Sequence, residues 1–481
     1  MNCDAEPRNR CPKLNPIKRD IERMTKETKL SRIHFETNRA LDFLSRKELI
    51  AQTGHQVAEW PLVCLKELVD NGLDACEEAD VAPAIQIRVD DRGLTVQDIG
   101  PGIPATVIDS VLDFNIRISS REAYVSPCRG AQGNALKTVV AMPFALCGAG
   151  SVTICSHGLR HEITVTADRV RQQPNVDRKT TPSEVTSGTL ISVQWPDSAS
   201  SIGANQIDRF LQNQPGVHDS ACSILSRSKP RFLQIAEDYC WLNPHVSMRV
   251  DWENEHLEWQ ASQPAWRKWV PSNPTDPHWY GPDELERLIA ANICHRDRPL
   301  REFVAEFRGL TGSVKQKRVL ESAGLNRSML SEMVAGGAID KAKVTRLLAA
   351  MKSSTTPANP TALGTIGRDH LKKRCELAGG APDSFNYKKV TGTDDGLPWI
   401  IETCFAYCPE EKSPRRIIPG VNWSPGIINP FRQLGKYGKS LDSILEQQRA
   451  GPDEPTVLVL HVTCPKVQYA DRGKSSVIVE V

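Results

Sequence analysis

The chain has 481 residues, enough for about three domains at roughly 150 residues each. Hydrophobic residues make up 40% and charged residues 25% of it, a balance that excludes a collagen-like or wholly disordered protein. The 60 Lys and Arg residues nearly cancel the 58 Asp and Glu residues, which leaves a net charge of +2. Binding of nucleic acid through bulk charge is therefore excluded, and any such contact must come from local patches.

The distribution of apolar residues and cysteines predicts a cytoplasmic protein. No stretch approaches the roughly 18 uninterrupted apolar residues of a membrane span, and the charged N-terminus lacks the apolar segment of a secretory signal. The 14 cysteines include no CxxC pair, so free thiols in a reducing compartment are expected. Cys404 and Cys408 form one loose pair without a second half, and we expect buried cysteines there rather than a zinc site.

The first half of the chain alternates between helical and strand patterns. Residues 1–34 are polar and basic, which predicts a flexible arm. Helical periodicity follows over 56–79. Two alternating segments, Ala84–Asp90 and Leu94–Ile99, flank a short turn and predict a hairpin. Further strands are predicted at Ser151–Ser156, Glu162–Thr166 and Thr189–Trp195.

The second half begins with a segment over 255–282 that is rich in Trp, Pro, Ser and Asn, which is typical of a linker or domain edge. Residues 283–351 have helical patterning with glycine breaks. From 361 onward a mixed pattern returns. It predicts strands at Trp399–Ala406 and Val457–Val462 and a helix at Ser440–Arg449.

Three polar residues recur on one face of the predicted helix over 56–79. Glu67, Asn71 and Asp74 stand at positions i, i+4 and i+7, so an α-helix presents them together. A carboxylate and an amide oxygen one turn apart can hold a hydrated Mg²⁺ and a water, which Glu67 can polarise as a general base. Taken alone, the stripe more often marks a solvated helix face.

A turn rich in glycine and proline follows the second strand of the predicted hairpin. Asp98 stands at the strand end, followed by Gly100, Gly102 and Ile103. A carboxylate there can accept a hydrogen bond from an exocyclic amine such as that of adenine. The glycines let the backbone approach a flat ring closely. The alternative is an ordinary turn with a solvated Asp.

A third segment, RGAQGNALK at 129–137, precedes an apolar helix. Glycines at the head of a helix expose N–H groups to an anion. Neither the GxGxxG nor the GxxxxGK[ST] spacing is present, which disfavours a Walker-type ATPase. Gly188-Thr189 then opens the strand Thr189–Trp195. Each feature alone also fits an ordinary helix or strand start.

In this order, the four motifs resemble the Bergerat ATP-binding fold of the GHKL superfamily, which includes gyrase-type topoisomerase ATPases, MutL, the heat-shock chaperone ATPase and sensor histidine kinases. The resemblance implies an α+β protein with an α/β-sandwich ATPase domain. It also implies a nucleotide site built from Asn71, Asp74, Asp98, Gly100, Gly102, Ile103, Arg129, Gly130, Ala131, Gln132, Gly133, Asn134, Ala135, Lys137 and Thr189.

The remainder of the chain resembles the topoisomerase VI B-type ATPase chain within this superfamily. Residues 283–351 look like its helix–two-turn–helix insert, and 398–422 look like its transducer domain. The C-terminal segment VLVLHVTCPKVQYADRGKSSVIVE looks like the transducer strand and loop that deliver a switch lysine, here Lys474. The implied domains are an arm (1–34), an ATP-binding domain (35–275), a helix–two-turn–helix-like domain (282–356) and a transducer (357–481). A histidine kinase is disfavoured because too little chain precedes Glu67 for its phospho-acceptor helices.

The resemblance implies an ATP-operated gate. Asp98 and Thr189 would hold the adenine, Asn71 the Mg²⁺, and Glu67 the attacking water. Residues 114–133 would form a lid, and Lys474 would sense the γ-phosphate. Two protomers would dimerise on ATP around duplex DNA, and a separate topoisomerase VI A-like subunit would cleave it, since this chain has no recognisable cleavage motif.

DNA contact is expected from two basic patches and to be largely independent of sequence. The first lies in the helical block and comprises Lys315, Lys317, Arg318, Lys341, Lys343 and Arg346. The second, over 412–439, comprises Lys412, Arg415, Arg416, Arg432, Lys436 and Lys439. A solvated charged face is the alternative for both.

Two departures from the family pattern leave other functions open. The usual third glycine of the phosphate loop is Ala135, and the chain ends seven residues after Lys474 without the family's long C-terminal helix. The second departure favours a stand-alone GHKL clamp, in the manner of MutL or the MORC ATPases. An ATP-binding scaffold with little turnover is a further alternative. The intact Glu67 argues against the scaffold, because a pure binder needs no general base.

Overall fold

A computed structural model describes residues 39–114, 123–130, 135–148, 150–168, 170–171, 173–195, 221–409, 414–434, 438–470 and 476–478. The arm predicted at 1–34 and the predicted switch residue Lys474 lie outside these ranges, as does most of the predicted lid. Within the described ranges, no helix is both long and apolar enough to cross a membrane.

An eight-stranded sheet organises the first half of the described chain. Its spatial order is β5-β4-β3-β6-β2-β1-β7-β8. Neighbouring strands are antiparallel except β1 and β7, which run parallel. The bounds are Ala84–Asp90 (β1), Gly93–Gln97 (β2), Ser151–Ser156 (β3), Leu159–Asp168 (β4), Gln173–Pro182 (β5), Thr189–Gln194 (β6), Ser247–Trp252 (β7) and Glu255–Trp259 (β8). The alternate residues Ile85, Ile87 and Val89 of β1 are buried, because a period of two sends them to one face.

Within the described residues, five helices accompany this sheet: Arg46–Thr53 (α1), Trp60–Glu78 (α2), Ala105–Leu112 (α3), Ala135–Cys147 (α4) and Ala221–Leu242 (α5). Helix α2 contacts β1 and β2, α4 contacts β3, β4 and β6, and α5 contacts both α2 and β7. Leu65, Val69 and Leu73 recur at helical spacing along α2 and are fully buried. Removing this apolar stripe from water fixes α2 against its neighbours.

The predicted helical block forms a small helical region with its own hydrophobic core. Its helices are Pro282–His295 (α6), Leu300–Ala305 (α7), Ser313–Ala323 (α8) and Lys341–Ser353 (α9). Leu288, Phe303 and Leu347 are fully buried at its centre. A short hairpin, Val334–Ala335 (β9) and Ala338–Ile339 (β10), interrupts the helices. Gly336 and Gly337 form its turn with positive φ angles of 60° and 82°, which glycine adopts without strain.

A second sheet forms the C-terminal region, in the order β11-β12-β15-β13-β14. Its strands are Asn386–Asp394 (β11), Leu397–Tyr407 (β12), Arg416–Val421 (β13), Ser424–Pro425 (β14) and Thr456–Thr463 (β15). The helices Arg368–Leu377 (α10) and Leu441–Gln447 (α11) accompany it. The strands predicted at Trp399–Ala406 and Val457–Val462 lie within β12 and β15. Cys404 and Cys408 are buried, as expected for structural cysteines.

The predicted α+β class is confirmed, but three elements differ from the pattern seen in the sequence. The segment over 255–282 is not all linker, since it begins with β8, which pairs with β7. The edge strand β5 is polar and mostly exposed, so it lacks an apolar alternation. Helix α5 contains Pro230, which conceals its helical pattern. The domain boundaries at 275–282 and 356–357 remain a prediction.

Candidate nucleotide-binding site

Helix α2 carries the two residues predicted to act on metal and water. Asn71 is exposed and Glu67, one turn earlier, is half-buried. Asp74, the third member of the predicted stripe, is instead 2% exposed. The helix therefore separates its polar residues, with Asn71 open to solvent and Asp74 turned into the protein.

Asp98 lies directly after β2, close to Gly72 of α2, and is 7% exposed. Its Oδ1 accepts hydrogen bonds from the N–H of Gly100 at 2.8 Å and of Thr189 at 3.2 Å. Burial raises the pKa of the Asp98 carboxyl, and these two bonds oppose the increase. The bonds orient the carboxylate, so that it can present its remaining acceptor capacity to a ligand.

Glycines bring the backbone around Asp98 into close approach. Gly188 has φ +76°, and a Cβ there would lie 2.1 Å from the Asp98 carbonyl oxygen. Gly102 has φ +91°, and its Cβ would lie 2.5 Å from the Ser156 hydroxyl. That hydroxyl accepts from the N–H of Ile103 at 2.8 Å. Only glycine fits at these two positions. The close packing therefore explains why the motif has glycine there.

A buried ionic cluster lies under the other flank of α2. The Arg129 guanidinium donates to Asp74 at 2.6 Å, to both carboxylate oxygens of Glu77 at 2.7 Å, and to the Asn243 amide oxygen at 2.6 Å. The Lys268 ammonium lies 2.8 Å from Glu77. The structure thus brings Arg129 and Asp74, both predicted to bind nucleotide, together as partners of each other.

The charge on this cluster is closely balanced. Burial alone would raise the pKa of the Glu77 carboxyl, but Arg129 and Lys268 hold it well below its usual range. The His245 Nε2 atom lies 3.0 Å from the same carboxylate, and burial lowers the pKa of that histidine. Glu77, Asn243 and Lys268 were not identified from the sequence. No local sequence pattern predicts their contact, because the three residues lie in three separate segments of the chain.

The segment after Arg129 is only partly described. Ala131, Gln132, Gly133 and Asn134 lie outside the described residues. Ala135 is the first residue of α4, so its backbone is right-handed and an alanine there carries no left-handed strain. Lys137 is 1% exposed, and its ammonium donates to the Asp113 carbonyl at 2.7 Å.

The first predicted DNA patch lies on two helices that pack on each other. Lys315, Lys317 and Arg318 are exposed on α8, as are Lys341 and Arg346 on α9, whereas Lys343 is half-buried. The second patch differs in character. Arg416 pairs with Glu237 and Asp238 of α5 at 2.8 and 2.7 Å, and Arg415 donates to the Ala450 carbonyl and to Asp442. Lys412 and Lys436 lie outside the described residues.

The described residues fit a magnesium ion only if other ligands come with it. In the parts of the chain that the structure covers, no group of three or more His, Cys, Asp or Glu residues could hold a metal. The open amide of Asn71 can supply one oxygen, and nucleotide phosphates and water are the usual source of the others for Mg²⁺.

Comparison with solved structures gives low similarity scores. The Aquifex aeolicus MutL ATPase domain complexed with ADP has a TM-score of 0.31 at 12% identity, covering 82% of this chain and 89% of that one. The N-terminal domain of a DNA repair protein has a TM-score of 0.38 at 10% identity, covering 89% and 92%. These scores carry no argument about function.

Comparison with characterised sequences is more informative, although no family model matches the chain. The type 2 DNA topoisomerase 6 B chain of Archaeoglobus fulgidus is 24% identical over 436 residues, which cover 86% of this chain and 66% of that protein. The Metallosphaera sedula protein of the same name is 24% identical over 446 residues, covering 86% and 74%. A shorter match, 33% over 128 residues, is found in Natronomonas pharaonis and covers 24% and 16%. The resemblance seen in the motifs is thereby confirmed: the chain is similar to topoisomerase 6 B chains over 86% of its length.

Proposed function

We propose that the chain is the ATP-binding and ATP-hydrolysing component of a topoisomerase VI-like, type IIB DNA topoisomerase or a related DNA-breakage complex. One observation carries the proposal. The exposed amide of Asn71 and the half-buried Glu67 stand one turn apart on α2, and the same helix abuts a carboxylate enclosed by glycines. The sequence similarity to the B chains of topoisomerase 6 supports it.

The adenine end of the site is Asp98. Its carboxylate is fixed by two backbone N–H groups and can accept from an exocyclic amine, with the Thr189 hydroxyl beside it. The close backbone approach at Gly102 and Gly188 admits no additional side chains there. These features favour adenine over a ligand without an amine donor.

The phosphate end is the open part of α2 and the segment before α4. Asn71 would supply an oxygen to Mg²⁺, and Glu67 would orient and deprotonate the attacking water. The bound ion would neutralise phosphate charge. The N–H groups of residues 130–135 would face the phosphates at the head of α4, and Lys474 would contact the γ-phosphate. We assign Arg129 to holding α2 rather than to the phosphates, because four of its hydrogen bonds already lie within the protein.

At the level of the assembly, we propose a cytoplasmic homodimer that closes on ATP around duplex DNA. The exposed lysines and arginines of α8 and α9 would contact the phosphate backbone. Strand cleavage would belong to a separate topoisomerase VI A-like subunit. The purified chain alone should neither cut nor relax plasmid DNA.

The test is light scattering on the purified protein with Mg²⁺ and either ADP or a non-hydrolysable ATP analogue, with nucleotide binding measured by calorimetry. A shift from monomer to dimer with the analogue alone is the expected result. Nucleotide binding without any shift would contradict the ATP-operated gate and favour a scaffold. Absence of nucleotide binding would reject the proposed function altogether.

A further inference from the structure

The turn between β13 and β14 has an unusual backbone for its residues. Val421 pairs with Ser424 across it, so Asn422 and Trp423 are the two central residues of a tight hairpin. Their φ angles are +48° and +64°, which is the conformation that two-residue hairpins usually fill with Asn and Gly. A tryptophan in this conformation is strained and persists only where surrounding contacts hold it. We call Asn422–Ser424 the sensor turn.

The first residue of the sensor turn joins two segments of the proposed nucleotide site. The Asn422 Nδ2 atom donates to the Cys464 carbonyl at 3.1 Å and, more weakly, to the Cys128 carbonyl at 3.4 Å. Its Oδ1 accepts from the Cys464 N–H at 3.0 Å. Cys128 immediately precedes Arg129, and Cys464 immediately follows β15 on the way to Lys474.

The second residue contacts the buried ionic cluster. The Trp423 carbonyl accepts from the Asn243 side chain at 2.9 Å, and that same side chain accepts from Arg129 at 2.6 Å. The Lys268 ammonium lies 4.7 Å from the centre of the Trp423 indole. The backbone N–H of Trp423 donates to Nε2 of His461 in β15 at 3.0 Å.

The third residue contacts the helix that carries Glu67 and Asn71. The Ser424 hydroxyl lies 2.9 and 2.8 Å from the two carboxylate oxygens of Asp70. Asp70 also accepts from Lys66 at 2.9 Å and from Tyr239 at 2.8 Å. Since Asp70 immediately precedes Asn71 on α2, a small movement of this helix changes the Ser424 bond directly.

We propose that the sensor turn positions α2 and the Arg129 segment for catalysis and transmits their movement to the C-terminal sheet. The inference rests on the proposed ATPase function. The three consecutive residues of the sensor turn bind three separate segments of the proposed site through directional polar contacts. An apolar packing contact would tolerate sliding, whereas these buried bonds fix relative position. Because the backbone of the turn is strained, loss of one of these contacts would let the turn relax to another conformation.

The test separates positioning from nucleotide binding in the full-length protein. For Ser424→Ala, we expect the Kd of the non-hydrolysable analogue to stay within about twofold, and kcat for ATP to fall by at least about tenfold, as for a lost hydrogen bond to a charged group. Ser228→Ala is the matched control. That serine is similarly buried, at 8% against 7% exposure, but its hydroxyl donates to Leu225 in its own helix.

Two further measurements make the interpretation specific. Combining Ser424→Ala with Asp70→Ala should reduce kcat no more than Asp70→Ala alone, because Ser424 acts through its hydrogen bond to Asp70, which either change removes. Hydrogen exchange at the Trp423 amide should slow when the analogue binds wild-type protein, and this effect should disappear in Ser424→Ala.

The outcomes are distinguishable. If wild-type protein turns over ATP and Ser424→Ala behaves like Ser228→Ala, the sensor turn is overturned while the proposed function stands. Additive losses of kcat in the double variant would also overturn the proposed role of the sensor turn. Wild-type protein that binds no nucleotide would instead reject the proposed function.

Discussion

The Nη1 atom of Arg129 lies 2.6 Å from Oδ1 of Asp74, and both side chains are nearly fully buried. This ion pair ties the segment leading to the proposed phosphate loop to the C-terminal half of α2. A helix that carries exposed Asn71 on one flank is thus anchored on the other by charge rather than by apolar packing alone.

Removing Arg129 should therefore destabilise the protein before it affects any phosphate contact. Arg129→Gln leaves the carboxylates of Asp74 and Glu77 buried without their main cation, which should lower the free energy of unfolding by about 3–5 kcal/mol. Urea unfolding monitored by circular dichroism measures this. Arg160→Gln removes an exposed pair with Glu162 and should cost at most about 1 kcal/mol. Equal effects of the two changes would contradict the anchoring role.

Glu67→Ala should retain nucleotide binding and lose turnover. The proposed general base would act only in the chemical step, so the Kd of the analogue should change little. Removing a general base lowers kcat by about 10²–10⁴-fold. Calorimetry and steady-state phosphate release measure the two quantities. Persistent turnover would show that another group activates the water.

Gly188→Ala should disrupt the proposed adenine end of the site. The new Cβ would lie 2.1 Å from the Asp98 carbonyl oxygen at a φ of +76°, so the strand start must shift, at a backbone cost of about 1–3 kcal/mol. We expect weaker nucleotide binding together with a lower melting temperature. Gly451→Ala, where nothing lies within 4 Å of the new Cβ, should change stability by less than about 0.5 kcal/mol. Unaltered binding by Gly188→Ala would argue against adenine at Asp98.

His370 should make stability depend on mildly acidic pH. It is 1% exposed and lies between the Ser262 hydroxyl and the Trp241 carbonyl, and burial lowers its pKa to about 4. Its unfolded pKa is about 6.5, so the unfolded chain binds the extra proton first. Stability is therefore lost as pH falls from about 6.5 to about 4, by a total of about 3 kcal/mol.

The measurement is the free energy of unfolding of wild type minus that of His370→Gln across this pH range. The difference should shrink towards acid pH as the wild type loses its contribution. A difference independent of pH would refute the linkage.

Replacing Lys315, Lys317 and Arg318 together by alanine should weaken duplex DNA binding about equally for all sequences. If all three contact phosphates, the slope of log affinity against log salt should fall by about 2–3. Fluorescence anisotropy at several salt concentrations measures this. Lys179→Ala, exposed on the edge strand β5, is the control. A DNA affinity that does not depend on salt would exclude this patch as a DNA contact.

Local patterns in the sequence are sufficient to predict the helix and the strands that carry the motifs. The alternation in Ala84–Asp90 and its turn predicted the β1–β2 hairpin, which pairs as expected. The helical spacing over 56–79 predicted α2, since its apolar stripe is buried against α4 and α5. These elements could be predicted because their own side chains determine which face is buried.

The partners within the site could not be predicted in this way. Spacing alone groups Asp74 with Glu67 and Asn71, but an arginine 55 residues later in the chain turns it inward. The residue Ser424 that bonds Asp70 lies 354 residues away. Contacts of this kind depend on the packing of whole elements, and short polar segments carry no periodic signal of them.

The parallel pairing of β1 with β7 has a consequence for how the protein is made. Ala84 pairs with Ser247, so the large sheet joins segments separated by about 160 residues, and such non-local pairing forms slowly. On the ribosome, β1, which pairs with the strand leading to Asp98, must wait for β7 to emerge before its open edge is covered. Chain termination after β6 would leave this edge exposed, so a shortened fragment ending there should aggregate rather than fold as a nucleotide-binding unit.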